Sequence, residues 1–137
     1  MISDGFNSLR AGYPRHGGVD IMFARVPSDA FKAGTPNASK LFVMPDGLVA
    51  LAASDGVVRS ATVTPQGQAL LIEHVPKKLA TFYTHMEKLL AKAGDHVRAG
   101  QSIGVIAASP LDAEHLKHLH FEVWLGGPSD RTDPAPD

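Results

Sequence analysis

The segment "EHLKHLHFEVW", residues 114–124, places His115, His118 and His120 within six positions. Residues i and i+2 of a strand leave the same face, so the imidazoles of His118 and His120 can converge on one point. Leu119, Phe121 and Val123 alternate with them, the period-two pattern of a half-buried strand that carries His118, His120, Glu122 and Trp124 on its other face. His115 precedes that strand and reads as a surface residue. A second constellation is "HGGVD", where His16 and Asp20 share a face of an extended segment while Gly17 and Gly18 admit close backbone approach. A third is "FYTHM": His85 closes an apolar strand, and strict alternation sets Tyr83 beside it, opposite Thr84. Taken alone, each of the three is at least as often a set of ordinary hydrogen-bonded or ion-paired side chains.

Together they fit one chemistry. The chain has no cysteine, so any metal must be held by His, Asp or Glu. Two histidines and an aspartate form the ligand set of a catalytic zinc that keeps a position open for water. Two further histidines would supply what such a site still lacks, an acceptor for the water proton and a donor to the oxyanion formed on attack. No HExxH helix occurs, so the base would be a histidine. His74 and His96 fall on a strand and a turn outside these constellations.

The elements that must position these residues are mostly strands. Thirteen glycines and ten prolines punctuate 137 residues, which favours short strands over long helices. "LFVMPDGLVALAASDGVVRSATVT" reads as two or three strands, with turns at Pro45-Asp46-Gly47 and Asp55-Gly56. "QALLIEHV", "LATFYTHM" and the stretch after the Gly100 turn read as further strands. Two short helices are expected, "MEKLLAKAG" ended by Gly94 and "SPLDAEHLKH" capped by Ser109 with Pro110 in its first turn. The fold class is therefore all-β with minor helix, a single domain over residues 1–137. Residues 26–42 read as a loop insertion and residues 126–137 as a turn-rich tail. A net charge of −1 with scattered basic residues gives no footprint for nucleic acid. The apolar runs are too short for membrane insertion, the opening residues lack the pattern of a signal peptide, and a monomer is expected.

The order "HGGVD … YTHM … GDHVRAGQSIGVI … HLHFEVW" closely resembles the M23 family of zinc peptidases, the lysostaphin and LytM type of peptidoglycan endopeptidase. The resemblance covers residues 13–25 and 44–125. It implies an antiparallel sheet forming an open groove, akin to a barrel-sandwich hybrid, and a bound Zn2+. Carried over motif by motif, it implies His16, Asp20 and His120 as metal ligands, and His85 and His118 as the groups acting at the catalytic water and the oxyanion. Tyr83 and Glu122 become candidates for contacting substrate or supporting the ligands. The implied partner is the peptide of bacterial peptidoglycan, cut in the periplasm or the extracellular wall.

The chain departs from the family where a glycine-rich approach to the last strand is replaced by "AASPLDAEHLKHLHFE", and in the insertion at 26–42. Loops of this kind rim a substrate groove, so they bear on which bond is cut. Two other classes compete. A catalytically silent M23-like module would bind cell wall or regulate an amidase, though such relatives usually lack a ligand and this chain lacks none. A sugar-phosphotransferase IIA domain, suggested by "GDHVRAGQSIGVI", would leave Asp20 unexplained.

Overall fold

A computed structural model describes residues 2–4, 18–21, 24–25, 42–75, 77–108 and 117–128. The expected ligand His16, all of the 26–42 insertion before Phe42, the capped helix through residue 116 with His115, and the tail beyond Pro128 lie outside the described residues.

The apolar, β-branched runs form the long strands. "GQALLIEH" becomes β7 (Gly67–His74) and "LATFYTHMEKL" becomes β8 (Leu79–Leu89); the segment from Phe42 to Thr64 supplies β4 (Phe42–Val43), β5 (Val49–Leu51) and β6 (Gly56–Thr64). The others are β1 (Ile2–Asp4), β2 (Val19–Ile21), β3 (Ala24–Arg25), β9 (His96–Val97), β10 (Ser102–Ile106) and β11 (Leu119–Trp124). All pairing is antiparallel. The main sheet runs β1-β2-β11-β8-β7-β6-β9, with β10 bridging β8 and β5. Strands β3 and β4 form a separate pair.

The expected turns are present. The chain turns at Asp46-Gly47, where Gly47 has φ +83°, and β10 starts just after the turn at Gly100. The helix expected at "MEKLLAKAG" is not: Met86 to Leu89 complete β8, and the chain then turns through Gly94. The local helix preference of Glu, Lys and Leu is a weak prior. It yields to the ladder with β10, which pairs Ile106 with Met86 and Gly104 with Leu89, and to burial of Met86 and Ala91 in the core. No helix occurs among the described residues.

One face of the sheet is the core. Leu70 and Ile72 of β7, Tyr83 and Met86 of β8, Ile103 of β10 and Leu119 of β11 are buried there, joined by Val58, Val97 and the half-buried Phe121. Removing this apolar surface from water, about 25 cal/mol per Å2, is the main stabilising term. A polar chain crosses the same face. His74 Nδ1 donates to the Asp55 carbonyl (2.8 Å), which leaves Nε2 to accept from the Thr81 hydroxyl (2.7 Å). Thr81 accepts from the Tyr83 hydroxyl (2.7 Å), and Tyr83 accepts from the Ala53 N–H (3.0 Å). Each hydrogen in this chain has one acceptor.

Strand β8 changes partner halfway. Ala80 to Thr84 pair with β11, whereas Met86 to Leu89 pair with β10. At the change there is a bulge. Gln68 opposes Met86 and Leu70 opposes Tyr83, so Ala69 alone on β7 faces both Thr84 and His85. His85 takes φ +69°, a left-handed conformation rare for a branched ring side chain. The extra residue shifts the alternation by one position beyond Thr84.

Candidate functional site

On the face opposite the core, one row of side chains crosses three adjacent strands. His120 on β11 is directly opposite Asp20 on β2 and directly opposite Thr84 on β8. Cross-strand partners project to the same side, so Asp20 and His120 meet although they are 100 residues apart. Their contact is Nδ1 to Oδ1 at 3.1 Å. His118, just before β11, brings its Nε2 to 3.7 Å from the same Asp20 oxygen. The bulge delivers the last member: the His85 ring lies with its centroid 4.5 Å from that of His118 and 5.7 Å from that of His120. All four side chains are buried.

The strict-alternation reading of "FYTHM" is therefore corrected. Tyr83 does not share a face with His85; it is 1% exposed and its hydroxyl is taken up by Thr81 and Ala53 inside the core. The physical reason is the bulge, which turns Thr84 and His85 both away from the core. Glu122 does face the site. It is also 1% exposed, and its Oε2 accepts from His120 Nε2 at 2.7 Å while its Oε1 accepts from the Trp124 indole N–H at 2.9 Å. Trp124 escaped the sequence reading as a site residue, although the period of the strand had already put it on the His120 face. The Gln66 carbonyl, which accepts from His85 Nδ1 at 3.0 Å, also escaped it. No sequence signal would have found that contact, because it depends on how a hairpin turn packs against the bulge.

Gly18 shows why "HGGVD" carries glycine. A Cβ at this position would run into the Phe121 carbonyl oxygen and come within 2.8 Å of Glu122 Cγ and 3.0 Å of His120 Cε1. Only a residue without a side chain lets the backbone before Asp20 lie this close to β11.

The electrostatics of the two central histidines are opposite. His120 sits between the carboxylates of Asp20 and Glu122. Burial works against its charge, but the hydrogen bonds and charges of both carboxylates outweigh burial and raise its pKa. His85 is pushed down to about 4, first by burial and then by the positive charge of His118 and His120, with only partial relief from the Gln66 carbonyl and Asp20. A carbonyl can only accept, so His85 carries its proton on Nδ1 and keeps a lone pair on Nε2. No buried side-chain nitrogen or oxygen among the described residues lacks a hydrogen-bond partner.

Two carboxylates converging on one imidazole call for positive charge between them, either a proton or a metal ion in its place. With His120 Nε2 committed to Glu122, Nδ1 is the nitrogen left for a metal, and it faces Asp20. Two donors around one tetrahedral zinc at 2.0–2.1 Å stand about 3.3 Å apart, close to the 3.1 Å seen here. The carboxylate on the far nitrogen is the partner that zinc-bound histidines ordinarily have. The pair thus fits a zinc site in spacing and chemistry. Among the described residues no group of three such donors is complete, and the third expected donor, His16, lies outside them.

The sequence profile of Peptidase family M23 matches residues 36–134. The peptidoglycan DD-endopeptidase ShyB of Vibrio cholerae is 34% identical over 125 residues, covering 91% of this chain and 25% of its own length. A crystal structure of a zinc-containing peptidase from Vibrio cholerae superposes with a TM-score of 0.66 at 28% identity, over the whole of this chain and 36% of that one. The catalytic domain of lysostaphin from Staphylococcus simulans shares the fold, with a TM-score of 0.71 at 24% identity, over 98% of this chain and 88% of that one. The chain spans only 19 to 25% of the length of the curated relatives it matches. Profile, relatives and strand-rich fold agree, and the chain belongs to peptidase family M23.

Proposed function

We propose that this chain is a zinc-dependent endopeptidase that hydrolyses peptide bonds in the stems or cross-bridges of bacterial peptidoglycan. The observation that carries the reading is the convergence of Asp20 and His120 Nδ1 beside two further imidazoles. Membership of the M23 family and the likeness to a zinc-containing peptidase and a peptidoglycan DD-endopeptidase support it. His16, Asp20 and His120 would hold the metal. A bound zinc would polarise the scissile carbonyl and bring the pKa of a water down to about 7.

The chain's own residues do the rest. Glu122 holds His120 by its far nitrogen, keeping Nδ1 toward Asp20. His85, with its proton fixed on Nδ1 by Gln66, presents only a lone pair at Nε2 and suits the acceptance of a proton from the attacking water. Once protonated it can pass that proton to the leaving amine. His118, beside Asp20, is the remaining imidazole and suits donation to the oxyanion of the tetrahedral intermediate. Substrate of this kind places the action in the periplasm or the extracellular wall.

The test is metal content and peptide release from purified peptidoglycan. The wild-type chain is expected to carry about one zinc and to release peptides in a chelator-sensitive manner, while Asp20→Ala and His120→Ala lose both. Full activity in either variant would overturn the ligand assignment. Binding of peptidoglycan without any release by the wild type would replace the enzyme with a binding module.

A further inference from the structure

Strand β11 carries a hydrogen-bonded series along one face at positions i, i+2 and i+4. His120 Nδ1 meets Asp20, His120 Nε2 donates to Glu122 Oε2 (2.7 Å), and the Trp124 indole N–H donates to Glu122 Oε1 (2.9 Å). The two oxygens of one buried carboxylate are thus held from opposite sides, one by the imidazole and one by the indole. The indole is itself fixed: Trp124 stacks on Phe82 of β8, ring centroids 5.5 Å apart and planes 23° from parallel. Phe82 is the residue directly opposite Glu122 in the ladder. The last torsion of a glutamate is soft and broad, so the direction of its carboxylate is set by the groups that hold each oxygen. Held at both oxygens, it defines the plane in which His120 must lie.

We infer that Trp124 is a positioning residue of the metal site: stacked on Phe82, its N–H locks the Glu122 carboxylate and so orients His120 Nδ1 toward Asp20. The inference rests on the zinc reading of the site. It assigns to a residue about 13 Å along the strand from His120 an effect on how well that histidine binds metal. Packing alone predicts something different, because a phenyl ring would stack on Phe82 nearly as well and would leave the metal site untouched.

The experiment measures zinc affinity by competition with a chromogenic chelator, in the wild type and in Trp124→Phe, together with the melting temperature of the metal-free proteins. Partners that support a ligand from behind contribute roughly 10–100-fold to metal affinity. Trp124→Phe is expected to lose on the order of tenfold in zinc affinity with little change in metal-free melting temperature. Its kcat should fall at limiting zinc and recover with excess zinc, at unchanged KM. In the metal-free wild type, nitrogen-15 NMR should report a hydrogen-bonded Nε2–H on His120, and that signal should shift in the variant. Should Trp124→Phe fold poorly, replacement of the indole by benzothienylalanine, which keeps the shape and lacks only the N–H, takes its place with the same expected loss. Zinc affinity equal to wild type in a folded variant would overturn the inference while leaving the zinc reading intact. A wild-type chain that takes up no zinc would overturn both.

Discussion

Strand β8 separates two buried histidine clusters, and they are built on different principles. On the core face, His74, Thr81 and Tyr83 form a series in which both imidazole nitrogens meet neutral partners and every hydrogen has one acceptor. On the other face, the rings of His118 and His120 lie 4.5 and 5.7 Å from that of His85, centre to centre, and two carboxylates press on one imidazole. The first cluster has neutral hydrogen-bond partners throughout and closes on itself. The second holds one histidine with its pKa raised and another with its pKa pushed down to about 4. Burial of histidine therefore does not mark function by itself. What distinguishes the two faces is the kind of partner the imidazoles meet, neutral groups on one and carboxylates with further imidazoles on the other.

Three experiments would break or sharpen that contrast. The largest effect is expected from His118→Ala, a change confined to the second cluster: zinc stays bound, and turnover of peptidoglycan falls by roughly 10^2 to 10^4-fold, the usual worth of a positioned proton-transfer or oxyanion group. A His118→Ala protein that arrives without metal would show that His118 is a ligand, and that the roles of His118 and His120 were exchanged.

The next effect concerns acid. The unfolded chain takes up a proton on His85 near pH 6.5, while the folded, metal-free chain does so only near pH 4. Stability from this group is thus fully present above pH 6.5, drains away as pH falls from 6.5 to 4, and changes no further below. The total is on the order of 3 kcal/mol. Metal-free wild type is expected to lose melting temperature across that window more steeply than His85→Gln. Parallel slopes would mean that the burial of His85 adds nothing to the acid sensitivity of the fold.

The smallest effect is expected on the core side. Tyr83→Phe removes the hydroxyl that accepts from Ala53 and donates to Thr81. It should cost about 1–3 kcal/mol in denaturant unfolding while leaving zinc content and kcat close to wild type. A collapse of kcat in a stably folded Tyr83→Phe would reconnect the two faces and restore Tyr83 to the site.

The same contrast shows which parts of the site were legible in the sequence. His118, His120, Glu122 and Trp124 were placed on one face by alternation alone, and β11 keeps that phase without interruption from Leu119 to Trp124. Tyr83 and His85 were paired by the same rule and are in fact separated. The rule failed because β8 exchanges β11 for β10 at that point and carries a bulge there in its ladder with β7. The helix expected at "MEKLLAKAG" failed for a related reason, since cross-strand pairing with Ser102–Ile106 overrode a local preference.

Residue types and short spacings determined a good deal by themselves. They excluded thiolate ligands, brought out the His and Asp constellations and marked most of the long strands, and the order of the motifs resembles the family that the profile shows. They did not determine which side chains meet. That Asp20 reaches His120 depends on β2 lying beside β11 in register. That His85 joins them while Tyr83 does not depends on one extra residue in β8. That Trp124 reaches Glu122 while stacked on Phe82 depends on β8 lying in register beside β11. A period-two pattern tells a strand which way to face only while its partners stay the same, and where partners change, tertiary pairing decides.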